Sequence, residues 1–177
     1  MADHTDNGLG AAIKALTEVV APALASDNPV AREQLKLVVQ FLEFHRERLP
    51  NALDRDRFEL RQSLALAERL FELSAPCLAD ESERLGTAIV HGRELDDANW
   101  VRASQARRVT AALETACSAA VRGAAELEPN LRRPIERAVV EAASGFLEGE
   151  RAWFAPQGFE PDPAALPALE DALGATR

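Results

Sequence analysis

The chain has 177 residues, 47% of them hydrophobic, enough for one domain with a substantial core and too few to make two domains the default. A net charge of -9 argues against the clustered cations through which proteins hold a phosphate backbone, so no nucleic-acid partner is expected. No run reaches the roughly 18 to 20 apolar residues of a bilayer span, and the start MADHTDNGLG lacks a basic-then-apolar leader, so the expectation is a soluble, cytoplasmic protein with no membrane partner.

Abundant Ala, Leu, Glu and Arg, with no Tyr, favour helix throughout. The pattern predicts helices over 9–26, 29–49, 55–75, 81–95, 97–126, 131–154 and 163–173, with residues 1–8 frayed. Pro22 should kink the first helix, because it removes a backbone donor and crowds the preceding turn. Asn28-Pro29 reads as an N-cap followed by proline at the first helical position, and Asp162-Pro163 repeats it. Asp56 with Glu59, and Asp80 with Glu83, resemble capping boxes.

The second helix carries the stretch VVQFLEFHRERLP. At about 100° per residue its polar strip is narrow, holding Lys36, Gln40, Glu43 and Glu47. Val38, Phe41 and His45 fall within the broad apolar arc, and Gln34 lies on the same face as His45. One neighbour cannot cover such an arc, so this helix is either central in a bundle or shared with a second subunit. His45 is read first as a neutral imidazole, turned away from bulk solvent, hydrogen-bonded at a helix contact or dimer seam. A ligand contact or acid/base role remains open, with Gln34 and Phe41 beside it in a pocket, as does metal ligation. Di-iron bundles need Glu-x-x-His, and Leu42 and Ala88 stand where that glutamate would precede His45 and His91. No metal or other cofactor is expected.

On the third helix Leu60, Leu64, Leu66, Ala67, Leu70, Phe71 and Leu73 form an apolar half, with Ser63 and Ser74 inside it as back-bonding serines. Neither has the base and oxyanion turn that a nucleophile requires. The segment GTAIVHG, residues 86–92, sits within the fourth helix but its bracketing glycines allow a short strand. The fifth helix packs through Ala106, Val109, Leu113, Ala116, Cys117, Ala120 and Ala124, and the sixth through Ile135, Val139, Ala142, Phe146 and Trp153. Arg102, Arg107 and Arg108 are read as surface ion-pairing groups, although guanidinium forks could also bind carboxylate or phosphate. Residues 155–177 should make an irregular crossing and a short helix packed through Leu166, Leu169 and Leu173. Cys77 and Cys117 belong to no metal or redox motif and read as small buried hydrophobes.

Short connections make these helices an all-α, up-and-down bundle over residues 1–177. The hairpin LTEVVAPALASDNPVAREQLKLVVQFLEF, with its V-x-P-A-L helix followed by an Ala- and Leu-rich one, resembles the opening of uncharacterised bacterial helical proteins encoded near acyl-CoA dehydrogenases and aminoglycoside-phosphotransferase-like kinases. That likeness covers about a sixth of the chain. It implies an accessory role in catabolism and supplies no active-site residues. The sequence therefore points to a non-catalytic interaction or accessory protein, a homodimer through the broad face of the second helix, with a further protein partner possible. The alternative is a binder of, or enzyme acting on, a small hydrophobic acid or acyl thioester near His45, Gln34 and Phe41.

Overall fold

The computed structural model describes residues 4–25 and 27–174, and among them it contains helices and no strand. The protein is an all-α helical bundle. The elements are α1 (His4–Ala15), α2 (Pro29–Arg48), α3 (Ala52–Ser74), α4 (Ala79–Asp96), α5 (Ala103–Ala124), α6 (Pro129–Phe154) and a four-residue α7 (Leu169–Ala172). They group into two compact units, one of residues up to Ala52 with Pro156–Phe159, the other of Leu53–Ala155 with the chain from Glu160 on.

The first unit is a helical hairpin. Its opening helix already includes residues 4–8, which were expected to be frayed, while the expected end at Ser26 lies outside the described residues. Pro22 acts upstream, as anticipated, but through a π-helical turn at Leu16–Val20 rather than a plain kink. There the Ala21 N–H reaches back five residues to the Leu16 carbonyl, one way a chain can accommodate a proline that breaks the regular ladder. The cap of α2 follows the sequence: the Ala31 N–H donates to the Asn28 side-chain oxygen at 3.0 Å, with Pro29 opening the helix. Arg46 and Asp6 then tie α2 to α1 through two parallel hydrogen bonds of 2.7 and 3.2 Å.

The second unit is the up-and-down bundle. α3 is its centre. Phe71 lies against Gly86 and Leu64 against Gly92, which sets α4 antiparallel to α3, and Arg93 donates to Glu68 at 2.7 Å. Arg55 pairs with Glu150 and Phe58 lies over Gly149, which sets α6 antiparallel as well. Asp56 holds Arg107 of α5, while Leu64 and Leu113 both close on Gly92, so α5 runs parallel to α3. The core is Leu60, Leu64, Ala67 and Leu70 with Leu85, Ile89, Leu113, Ala120 and Ile135. The small-residue arc of α5 is buried as the sequence indicated except for the half-buried Val109, with Thr110 joining it.

Several local expectations change. GTAIVHG is helix, and its glycines are positions of close packing. Asp56 is not a cap: α3 begins earlier, and the carboxylate is buried within the helix, where Arg107 Nε donates to it at 2.8 Å. Asp80 likewise falls inside the first turn of α4, whose N-cap position is Leu78. The fifth helix starts at Ala103 rather than 97, where the Gln105 side-chain oxygen accepts from the Arg102 N–H at 3.2 Å. Pro167 divides the expected helix 163–173 by holding Leu166 extended, leaving a 3-10 turn and the short α7. Leu173 is nonetheless buried, and Arg61 clasps this segment by donating to the Leu173 carbonyl at 3.2 Å. Of the two serines, Ser74 back-bonds weakly to the Phe71 carbonyl at 3.5 Å, and Ser63 Oγ has no hydrogen-bond partner among the described residues.

Gly149 is where α6 and α3 approach most closely, since a Cβ there would overlap the Phe58 ring. Gly149→Ala should therefore destabilise the protein by about 1–3 kcal/mol by overpacking. Ala is the better helix former by about 1 kcal/mol, and nothing lies within 4 Å of a Cβ at Gly8, so Gly8→Ala should be neutral or stabilising. Urea unfolding of both variants checks this, and a stabilised Gly149→Ala would contradict the packing.

Candidate functional site

The least covered apolar surface of the first unit runs along α2. The side of that helix facing α1 carries Leu35 and Val39, which stand across a cleft from Leu16 and Leu24. The other side leaves Val30 69%, Leu37 48%, Val38 46% and Phe41 58% exposed. With Gln34 and His45, also exposed, these residues form one stripe at helical spacing along the whole element. In this unit α1 covers one side of the helix and the crossing segment Pro156–Phe159 flanks Leu37 and Phe41, yet the apolar arc extends beyond what these neighbours cover.

His45 is thus placed differently from the expectation that it turns away from bulk solvent: in the single chain its ring is exposed. It rests edge-on against two phenylalanines, with ring centroids 4.2 Å from Phe41 and 5.4 Å from Phe44, both at 71°. Phe41 and His45 are brought together, one turn apart. Gln34 lies farther along the same stripe.

A groove of about 430 Å³ does open beside the stripe, between α2 and the crossing segment Pro156–Phe159. Leu37, Phe41, Phe44 and Phe159 give it apolar walls, and Gln40, Glu43 and Glu47 make its polar edge. Neither His45 nor Gln34 lines it. Glu43 at the edge repels an acid, and Glu47 is already paired with Arg48 at 3.1 Å, so among the described residues the groove offers no free cation to the small hydrophobic acid expected there. Phe159, 85% exposed, was missed in the sequence because it lies in an irregular segment where no periodicity assigns a face. The adjacent Gly158, at φ 78°, was its available signal, since a turn into the left-handed region re-aims the following residue.

Among the described residues no group of three or more His, Cys, Asp or Glu could hold a metal ion. No described helix is long and apolar enough to cross a membrane. Cys77 and Cys117 are separate free thiols, and burial, assisted by the Glu114 charge, pushes Cys117 up to about 11. A thiol so protonated is a poor nucleophile. No known protein family, curated protein or solved structure matches the chain.

The Asp6–Arg46 clamp joins the two helices of the hairpin. Its hydrogen bonds to Arg46 hold the Asp6 carboxyl below its ordinary 3.8. The unfolded chain therefore takes up this proton first as pH falls. The clamp's stabilisation is complete above the ordinary value and disappears as pH drops through the lower folded one. The Asp6 carboxyl carbon, followed by NMR, should titrate below pH 3.8 and move up towards it in Arg46→Ala. A midpoint at or above 3.8 in the unaltered protein would contradict the clamp.

Proposed function

We propose that the protein is a non-catalytic interaction protein that pairs with a second copy of itself through the exposed face of α2. The observation that carries this reading is the arrangement of the stripe. It is symmetric about the Leu37–Val38 peptide: Gln34 and Phe41 stand one turn out on either side, and Val30 and His45 two turns out. An isologous two-fold contact requires a surface to complement itself when reversed. Two α2 helices packed antiparallel would set Leu37 against Val38 at the centre, Phe41 against Gln34, and His45 against Val30 at each end. Covering these side chains removes from water a row of large apolar groups that a lone chain leaves wet, the main favourable term in such association. His45 and Gln34 then become the polar members of a seam, where an imidazole already edged by Phe41 can find an acceptor.

A cytoplasmic setting fits this reading, because both thiols remain unjoined and packed in or against the core. The hairpin's resemblance to bacterial proteins encoded beside catabolic enzymes would make the dimer an accessory component, with the groove edged by Glu43 and Glu47 available to a further protein.

Phe41→Asp tests the pairing, since it places a charge in the seam while altering a side chain exposed in the single chain. Light scattering on a sizing column should give a dimer for the unaltered protein and a monomer of unchanged helicity for Phe41→Asp. A monomeric unaltered protein at tens of micromolar (a weak-interface concentration), or a variant that stays dimeric, would refute the proposal.

A further inference from the structure

The opposite side of α2 offers a different feature. Where the π-turn at Leu16–Val20 and Pro22 end the first helix, a cleft of about 310 Å³ opens against α2. Its walls are Leu16, Leu24, Leu35 and Val39, all half-buried, and its lip carries Arg32 and Lys36. The volume is that of a small-ligand pocket, and the lining is mostly apolar with a few convergent polar groups, as such pockets usually are. Thr17 does not compete for a ligand, because its hydroxyl donates to the Ile13 carbonyl at 2.9 Å.

Within the first unit the charges set this cleft apart. Lys14, Arg46 and Arg48 of the same unit each meet a carboxylate, at 3.8, 2.7 and 3.1 Å. Arg32 and Lys36 have no carboxylate within salt-bridge distance among the described residues, in a chain where acids outnumber bases 29 to 20. Four residues apart on one helix, two like charges also repel and weaken that helix. An anionic group held between them would relieve the repulsion.

We infer that this cleft binds an aliphatic carboxylate, its chain against Leu16, Leu24, Leu35 and Val39 and its carboxylate between Arg32 and Lys36. Arg32 supplies a planar fork for two carboxylate oxygens and Lys36 a mobile second charge. The site is independent of the dimer seam, which uses the other face of α2, and it moves acid recognition away from His45 and the carboxylate-edged groove.

Decanoate below its micellar concentration is the probe, with decanol as its uncharged counterpart, titrated by calorimetry into the full chain. One decanoate per chain should bind, about tenfold or more tighter than decanol. The Arg32→Ala/Lys36→Ala variant, altered only at exposed side chains, should lose about tenfold in decanoate affinity while its decanol affinity and helicity stay constant. Leu35→Asp should weaken both probes by placing a carboxylate in the cleft wall. Equal affinity for decanol and decanoate, no saturable binding to the unaltered chain, or an unaffected double variant would overturn the inference. So would association only with phosphatidylglycerol vesicles and not with free decanoate, which would make the cationic lip a membrane contact. Native mass spectra of the same samples give subunit number separately, so failure here is distinguishable from failure of the dimer.

Discussion

A helix in a two-membered hairpin can hide one side against its partner, and α2 has apolar residues on two. Leu35 and Val39 use the side that α1 covers, while Val30, Leu37, Val38 and Phe41 are left in water. Single exposed hydrophobes are common on any protein surface, but a continuous row along a 20-residue helix is not. The proposed pairing and the position of His45 both follow from this imbalance. The α1 side has its own irregularity: Pro22 prevents a regular helix from closing against α2, and the π-turn leaves the cationic-lipped cleft.

The second unit is packed around α3, which meets a helix on each of three sides and buries Leu60, Leu64, Ala67 and Leu70, with Ala67 and Leu70 inaccessible to solvent, while Phe71 stays exposed. Glycines 92 and 149 bring the neighbouring backbones close enough for Leu64 and Phe58 to fill the space that side chains would otherwise take. The buried Asp56 is held by Arg107, a contact that fixes the register between α3 and α5 at one end.

Much of this was legible in the sequence because helical periodicity reports one thing well, the set of residues sharing a face. The arcs of α3 and α5 were read closely, and the Asn28-Pro29 cap was read to the residue. The same periodicity cannot say whether a face is covered. His45 belongs to the apolar arc as expected, yet it is exposed, because burial depends on the number of neighbours and not on the wheel. Asp56 failed for a related reason: a cap and a buried ion pair look alike locally, and Arg107 lies far away along the chain. Pro167 gave a clear local signal against a continuous 163–173 helix, whereas Phe159 gave almost none. The cleft depends on a π-turn, whose extra residue per turn leaves no mark on composition.

The geometry of the seam can be read directly by disulfide trapping. Chains carrying Gln34→Cys are mixed with chains carrying Phe41→Cys and oxidised, each variant alone and the unaltered protein with Cys77 and Cys117 serving as controls. Antiparallel pairing about Leu37–Val38 should give a prominent 34-to-41 cross-link in the mixture and little in either variant alone. Cross-links of equal strength in the separate variants, or none in the mixture, would show that α2 does not meet its own copy in this way.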